Sequence, residues 1–391
     1  MAENGLKGGE QQISNGREAF TDGTSWRDIR SYTDCVMLFA AAILFLFGLA
    51  VIHSASISFY APGDMAVSGS LARQAVWGIG SAVIYIAVIK TDYRNIMSVS
   101  AFLFVGMVIV FVLLLLAGHS AKGAQRWFDL GILRFQPSEL GKVIFALALA
   151  KFCTLFPLDT LKGVLFSFCV AGLAILPIML QPDLGSSLVY AVMFFAVFIA
   201  AGAPKKLLFG LIGVAAALLP LLWFAMKPYQ RMRMMVFIDP SVDPQGAGYN
   251  VIQSRIAVGS GGLLGKGFLQ GTQGKLHFLP EPHTDFIFSV FAEEFGFIGC
   301  VAVLLLFGIL IYRILNVGEH TKDASARLLC VAIAAWLWFQ VMESVAMSMG
   351  LAPVTGIPLP LFSYGGSSLI VVSLGLALVQ SVNIVSQKSK F

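Results

Sequence analysis

Charge is scarce in this sequence. Only 12% of its 391 residues are Asp, Glu, Lys or Arg, whereas a soluble domain carries about 25%. Hydrophobic residues make up 58% of the chain, and its mean hydropathy is +0.83. The shortage of charge excludes an ordinary soluble domain. It predicts an all-α polytopic membrane protein, because helices satisfy their own backbone polar groups inside a bilayer.

The sequence also lacks the signatures of several common sites. Its five cysteines have neither disulfide-framework nor zinc-site spacing, which favours a packing role; they are Cys35, Cys153, Cys169, Cys300 and Cys330. The glycine-rich segment 259–267 is not a nucleotide-binding loop, since Ser260 replaces a required glycine and Gly267 a required Ser or Thr. We interpret it as a glycine-rich turn. The sequence has no metal triad, haem motif or nucleotide motif. No nucleic-acid partner is expected.

The first 30 residues contain no apolar core. They are rich in Gly, Gln, Ser and Asn, which argues against a signal peptide and predicts a disordered cytoplasmic tail over 1–30. Residues 31–391 form the predicted membrane domain.

Ten apolar runs follow this tail, each close to the roughly 20 residues that span a bilayer. They lie at about 34–53, 72–89, 96–117, 137–155, 162–180, 185–202, 207–226, 286–315, 326–349 and 367–386. The runs predict a bundle of about ten transmembrane helices. The connection between spans seven and eight, residues 227–285, is much longer than a helix–helix turn requires, and predicts a large extracytoplasmic loop.

Lysine and arginine are distributed unevenly between the connections. With the N-terminus inside, fifteen lie on the inner side: Lys7, Arg17, Arg27, Arg30, Lys90, Arg94, Lys151, Lys162, Lys205, Lys206, Arg313, Lys322, Arg327, Lys388 and Lys390. The short outer loops hold four: Arg73, Lys122, Arg126 and Arg134. Because short cytoplasmic loops are enriched in these residues, we predict that both termini are cytoplasmic and that 227–285 faces outside.

Ionisable residues are concentrated near the predicted outer ends of the spans. At 1.5 Å per helical residue, Glu139, Lys142 and Glu343 lie within roughly 10 Å of the outer surface, and Glu293 lies about 12 Å below Asp285. Such residues are costly in a membrane and are therefore functional candidates. Glu139 and Lys142 are three residues apart and can pair on a helix, so a purely structural ion pair is an equal alternative for them.

The most informative stretch is 275–294, where a polar, proline-bearing segment becomes an apolar helix at Asp285. It gathers a lysine, two histidines, glutamates and an aspartate. Irregular backbone inside a membrane persists only if it is buried in protein or lines a water-filled cavity. One interpretation is that Thr284 or Asp285 merely caps the following helix. The other is an outward-facing site for an anionic amphiphile, such as a lipid-linked diphosphate, with Asp285 as its base.

Several motifs resemble the RodA/FtsW (SEDS) family. They are Arg126-Trp-Phe-Asp-Leu-Gly131, Phe135-Gln-Pro-Ser-Glu139, Gln181-Pro-Asp-Leu-Gly185, Leu279-Pro-Glu-Pro-His-Thr-Asp-Phe-Ile-Phe288 and Pro353-Val-Thr-Gly-Ile-Pro-Leu-Pro-Leu-Phe-Ser-Tyr-Gly-Gly-Ser-Ser368. The resemblance covers nearly the whole membrane domain in the right order. The sequence around Trp127 looks closer to the RodA branch than to the FtsW branch.

The resemblance implies a peptidoglycan glycosyltransferase of the bacterial cytoplasmic (inner) membrane. Such an enzyme polymerises lipid II, an undecaprenyl-diphosphate-linked disaccharide peptide, on the outer face during cell elongation. The implied partners are a class B penicillin-binding transpeptidase and membrane lipids. Three alternatives stay open: a lipid II flippase or transporter, a non-catalytic scaffold for cell-wall enzymes, and the division-type, FtsW-like member of the same family.

The residues and the resemblance together give the candidate site. The resemblance implies that Asp285 is the catalytic residue, a base that takes the proton of the acceptor hydroxyl during an inverting transfer. The candidate substrate-binding residues are Arg126, Trp127, Glu139, Lys142, Arg255, Lys275, Glu281, His283 and Glu343. No residue is assigned to a metal, although a divalent cation, Mg²⁺ or Mn²⁺, would suit a diphosphate substrate.

Overall fold

The computed structural model of the chain describes residues 25–56, 69–117, 119–121, 124–129, 134–276 and 278–389, with side chains for all of them except 117–135 and several positions between 211 and 225. Residues 1–24 of the predicted tail, which spans 1–30, therefore lie outside the described residues. Its last residues begin a short helix, because Ser25 and Asp28 form a reciprocal capping box in which each side chain accepts the other's backbone N–H at 3.2 Å.

Helices make up most of the described structure. In chain order they are α1 (Trp26–Tyr32), α2 (Cys35–Ser56), α3 (Gly69–Ile89), α4 (Tyr93–Ser98), α5 (Ser100–Ala117), α6 (Pro137–Leu155), α7 (Leu161–Leu180), α8 (Leu184–Ala200), α9 (Lys205–Ala225), α10 (Pro228–Ile238), α11 (Ala247–Ser260), α12 (Ile287–His320), α13 (Ala324–Ser348) and α14 (Gly366–Lys388). A 3-10 turn spans Pro240–Val242. Three short antiparallel strands lie between α5 and α6: β1 (His119–Ala121), β2 (Ala124–Asp129) and β3 (Arg134–Phe135).

The long helices match the ten predicted apolar runs. Among the described residues, six helices are long and apolar enough to cross a membrane: α2, α3, α7, α12, α13 and α14. Shorter apolar helices, α5 and α8, accompany them. The all-α polytopic membrane fold is confirmed, while the count of ten spans and the loop at 227–285 stay predictions. The loop region itself contains α10 and α11.

The centre of the bundle is formed by α13 and α14. Trp336 on α13 is fully buried. Helix α13 packs against α6, α8 and α12, and helix α14 packs against α3 and α6. This packing brings the first turns of α6 and α8 close to the segment that leads into α14.

Local sequence determines where two of these helices begin. Pro137 occupies the first turn of α6, where its missing N–H would have had no helical partner. Asp183 is the N-cap of α8, and its Oδ1 accepts the backbone N–H of Ser186 at 3.1 Å. Both starts lie in the Gln-Pro motifs that the sequence singled out.

Helix α12 is broken at Gly296, whose φ of 64° and ψ of −165° are not helical. The glycine-rich turn compensates for the break with backbone hydrogen bonds. The N–H groups of Lys266 and Gly267 donate to the carbonyls of Glu293 and Glu294, respectively, both at 3.0 Å. In the other direction, the N–H groups of residues 297 and 298 donate to the carbonyls of residues 262 and 263, at 2.9 and 3.1 Å. The predicted turn is thus confirmed, and it satisfies polar groups that a broken helix leaves open.

The side chain of Glu293 strengthens the same contact. It is fully buried, and its Oε1 accepts from Lys266 Nζ at 2.6 Å, from the Thr272 N–H at 2.9 Å and from the Thr272 hydroxyl at 2.8 Å. Its Oε2 accepts the N–H of Gln273 at 3.2 Å. A buried carboxylate is tolerated when it is paired and hydrogen-bonded in this way, so Glu293 links the segment 266–273 to α12.

We expect Gly296→Ala to destabilise the protein strongly. A Cβ at this position would lie 2.3 Å from the Gly265 nitrogen, and a backbone with this φ and ψ, which glycine alone readily adopts, costs an alanine about 1–3 kcal/mol. Gly308→Ala is the matched control, since it lies on the same helix with open space around it. Thermal unfolding in detergent should show a lower Tm for Gly296→Ala and an unchanged or raised Tm for Gly308→Ala. Equal Tm values would contradict the described break.

Candidate active site

Three separate segments enclose a small polar cavity. They are the start of α6, the start of α8 and the segment before α14. The cavity has a volume of about 70 Å³ and is lined by Gln136, Glu139, Lys142, Asp183, Ser186, Val189, Thr355, Gly356, Ile357 and Pro358. This is enough room for several water molecules or for a small polar group of a ligand. It is therefore suited to recognise one part of a larger ligand.

An ion pair forms one wall of the cavity. Lys142 Nζ lies 2.5 Å from Glu139 Oε1, and both residues are buried. The ammonium group also lies 5.5 Å from the centre of the Trp336 ring, within the range of a cation–π contact. The predicted pairing of Glu139 with Lys142 is confirmed. Glu139 Oε2 has no hydrogen-bond partner among the described residues, so it is available to a ligand in the cavity.

Asp183 forms the opposite wall, and sequence reasoning missed it. Its Oδ2 accepts from Gln136 Nε2 at 3.1 Å and from the Ser186 hydroxyl at 2.8 Å. In the sequence, Gln181-Pro-Asp-Leu-Gly185 contributes only to the family resemblance. An aspartate at a helix start inside an apolar region was the available signal, because such charges are functional candidates in membrane proteins.

The segment 353–364 packs into the bundle. Leu359, Leu361, Phe362 and Ser363 are all buried. Helix α2 approaches the segment closely, since a Cβ on Gly48 would lie 2.7 Å from the Phe362 carbonyl oxygen. The segment is therefore a fixed wall of the cavity.

The same segment holds the backbone around Asp285. The Tyr364 N–H donates to the His283 carbonyl at 2.9 Å, and the Ser363 hydroxyl donates to the Thr284 carbonyl at 2.8 Å. A Cβ on Gly356 would lie 3.4 Å from Asp285 Oδ2, and Gly356 has a φ of 74°. Gly356 thus brings the Asp285 carboxylate against a segment that also lines the cavity.

Asp285 does not cap helix α12. The helix begins at Ile287, and its N-cap is Phe286, which makes no side-chain cap hydrogen bond. The Thr284 hydroxyl donates to the Glu281 carbonyl instead. The capping interpretation of Thr284 and Asp285 is therefore wrong, because the helix starts two residues later than a Thr284 cap requires and one residue later than an Asp285 cap requires.

Burial favours the neutral form of the histidine in the same motif. Burial lowers the pKa of His283 below its usual value, although the nearby Glu281 and Asp285 carboxylates act in the opposite direction. Its ring packs edge-on against Tyr364, with centroids 5.4 Å apart. His283 can therefore exchange hydrogen bonds with a ligand, but it does not add positive charge to the site.

Glu343 lies behind the cavity wall rather than on it. It is buried on α13, and its Oε1 accepts the Thr355 hydroxyl at 3.0 Å. Two other candidates lie elsewhere. Arg255 is exposed on α11 and packs its side chain against Gly350. Lys275 is buried, with its ammonium group donating to the Leu269 carbonyl.

Arg126 and Trp127 lie on strand β2, where Trp127 is opposite His119. Their side chains are outside the described part of the structure. Strand β2 contacts α5 and α6, and α6 carries the Glu139–Lys142 pair. Of the predicted site residues, Glu139 and Lys142 thus line the cavity. Asp285 lies next to residue 356 of the cavity wall, and Glu343 is hydrogen-bonded to residue 355.

The chain matches a protein family over most of its length. A family model for the FtsW, RodA and SpoVE proteins, described as "Cell cycle protein", covers residues 34–388. Peptidoglycan glycosyltransferase MrdB of Escherichia coli (strain K12) is 38% identical over 358 residues, which span 90% of this chain and 95% of that protein.

Solved structures show the same architecture. One, described as "Structural coordination of polymerization and crosslinking by a peptidoglycan synthase complex", is similar with a TM-score of 0.76 and 32% identity. The similarity covers 90% of this chain and 97% of that one. The crystal structure of Thermus thermophilus rod shape determining protein RodA is similar with a TM-score of 0.68 and 30% identity, over 90% of this chain and 97% of that one.

Proposed function

The chain belongs to the FtsW/RodA/SpoVE family and is a peptidoglycan glycosyltransferase, and we propose that it polymerises lipid II at the outer cavity beside Asp285. The similarity to MrdB and to rod shape determining RodA supports the elongation-type role. The chain is a multi-pass protein of a bacterial membrane. In the proposal its termini are cytoplasmic and the cavity opens to the outer face.

One observation supports this proposal most. The Asp285 carboxylate adjoins the same short segment, Thr355–Pro358, that lines the cavity beside Lys142. The proposed base and the proposed cation thus adjoin the same short segment of the chain. Transfer of a sugar from a lipid diphosphate requires both, since the acceptor hydroxyl loses a proton while the leaving diphosphate gains negative charge.

In the proposed reaction, Asp285 accepts the proton of the acceptor sugar's 4-hydroxyl. The hydroxyl oxygen attacks the anomeric carbon of the donor, and the bond from that carbon to the undecaprenyl diphosphate breaks. The configuration inverts, so an α-linked donor gives a β-linked glycan. Lys142 stabilises the negative charge of the leaving diphosphate, because its ammonium group has three donors and the contact with Glu139 leaves others for a ligand oxygen.

A divalent cation fits this site as a companion of the diphosphate. No cluster of three or more metal-ligating side chains occurs among the described residues. Mg²⁺, however, is often held by one or two carboxylates together with substrate phosphates. Glu139, through its unpartnered Oε2, and Asp183 would hold it, and the cation would add positive charge next to the diphosphate. Polymerisation that is unchanged by EDTA would exclude this part of the proposal.

We propose a class B penicillin-binding transpeptidase as the protein partner. The similarity to a chain of a peptidoglycan synthase complex supports this assignment. Membrane lipids surround the apolar helices. Failure to co-purify with any class B transpeptidase of the same bacterium would contradict it.

The function is tested with purified protein and fluorescent lipid II in detergent, with and without the transpeptidase. We expect a ladder of glycan strands that muramidase digests. A flippase would move lipid II between leaflets without forming polymer, and a scaffold would do neither. Translocation without polymer would therefore replace the proposal.

The orientation is tested separately with fusions. A reporter after Phe391 should read as cytoplasmic, because basic residues favour that side. A cysteine introduced at Asp239, which is exposed, should react from outside with a membrane-impermeant maleimide in cysteine-depleted protein. The opposite pattern would reverse the orientation and move the cavity to the cytoplasmic face.

A further inference from the structure

We propose that Glu343 is a positioning residue, which fixes the Asp285 carboxylate by holding Thr355 in the cavity wall. This inference rests on the proposed function and assigns Glu343 a task different from substrate binding. The starting observation is the hydrogen bond from the Thr355 hydroxyl to Glu343 Oε1 at 3.0 Å.

The contact joins a rigid element to an irregular one. Glu343 is buried on α13, the helix at the centre of the bundle. Thr355 belongs to a stretch without regular secondary structure. A buried acceptor on a packed helix can hold such a stretch in one place, since moving the stretch would leave the acceptor unsatisfied.

A second anchor acts on the preceding residue. Arg233 on α10 donates from Nη1 to the Val354 carbonyl at 2.9 Å. The dipeptide Val354–Thr355 is therefore held by α10 on one side and by α13 on the other. Both contacts restrict its position, because a residue in an irregular segment has no helical hydrogen-bond partner of its own.

The held dipeptide is followed at once by Gly356. This residue has a φ of 74° and approaches Asp285 Oδ2 so closely that an added Cβ would lie 3.4 Å from it. Any shift of Thr355 moves Gly356 and changes the space around the Asp285 carboxylate. Displacement of a reacting group by about 1 Å can lower a rate by about 100-fold, so Glu343 can affect catalysis without touching the substrate.

The test compares substitutions that keep or remove this hydrogen bond. Glu343→Gln keeps an oxygen acceptor, and Thr355→Ser keeps the hydroxyl. Glu343→Leu and Thr355→Val each remove one partner. We expect the variants that lose the hydrogen bond to lower kcat for lipid II by roughly 10–100-fold, with KM changed less than twofold. The variants that retain the hydrogen bond should have a kcat within about threefold of the parent value.

The double variant Glu343→Leu/Thr355→Val should be no slower than the more affected single variant, because both changes remove the same contact. Additive losses would overturn the proposal. So would an inactive Glu343→Gln, which would show that the charge of Glu343 is required, or a Thr355→Val rate within twofold of the parent.

Hydrogen exchange provides a readout that does not depend on polymerisation. The N–H of Tyr364 donates to His283, and that of Leu359 donates to the Ser363 hydroxyl. Both amides should exchange at least ~10-fold faster in Glu343→Leu and Thr355→Val if the segment is released. Parent-like exchange in both variants would overturn the inference even if the protein fails to polymerise lipid II. Failure of the parent to polymerise, with faster exchange in the variants, would instead refute the proposed function alone.

Discussion

Asp285→Asn will fold and insert like the parent protein and will lose about 10²–10⁴-fold in the rate of lipid II polymerisation, the usual cost of removing a general base. The amide is nearly the same size as the carboxylate, but it cannot accept the proton of the attacking hydroxyl. Helix α12 is unaffected by the exchange because its N-cap is Phe286. Initial rates of strand formation and thermal unfolding of the same preparations provide the measurement.

Asp239→Asn is the matched control for this change. It makes the same chemical substitution in the same outer region, at an exposed residue whose capping role asparagine also performs. Its rate should stay within about twofold of the parent. A well-folded Asp285→Asn that also polymerises within a few-fold of the parent would remove Asp285 from the catalytic role.

Lys142→Met will reduce both stability and polymerisation. The change leaves Glu139 buried without its partner, and breaking a buried ion pair in this way typically costs about 3–5 kcal/mol. The double variant Glu139→Gln/Lys142→Met removes both charges and should recover most of that loss, since a neutral pair of similar volume is often as stable as a buried ion pair. Unfolding in detergent would measure both effects.

Polymerisation by the double variant decides what the pair is for. We expect it to remain at least ~100-fold below the parent, because the leaving diphosphate has lost a preorganised cation. A stable double variant that polymerises at close to the parent rate would show that the pair only stabilises the fold. That outcome would favour the structural alternative for Glu139 and Lys142.

The sequence could predict most of the helical architecture. Apolar runs of sufficient length are local signals, and the long helices of the structure match them. The pairing of Glu139 with Lys142 was likewise predictable, because residues three apart share a helix face. The failure of 259–267 as a nucleotide-binding loop followed from two residues alone.

Contacts between distant segments were not predictable in this way. Asp183 and Thr355 meet at one cavity only through the packing of α8 and the segment before α14. The depth of Glu343 was readable from its distance to the helix end, whereas its partner Thr355 was not. The hydrophobic periodicity of one segment does not indicate which residue of another segment will contact it.

The start of helix α12 shows the limit of local signals most clearly. Thr284 and Asp285 are favourable N-cap residues, yet the helix begins at Ile287 behind a phenylalanine. Tertiary contacts explain the difference, because the 283–284 carbonyls are taken by Tyr364 and Ser363. A site residue was thereby kept out of the helix and placed against Gly356.

The central claim is that lipid II is polymerised from the face on which Asp285 and the cavity lie. The most direct measurement uses proteoliposomes in which the protein has one known orientation, with fluorescent lipid II confined to one leaflet. We predict muramidase-sensitive glycan strands when lipid II is in the leaflet on the side of residues 227–285, and none when it is confined to the opposite leaflet. Strand formation from the cytoplasmic leaflet, or none from either, would contradict the account.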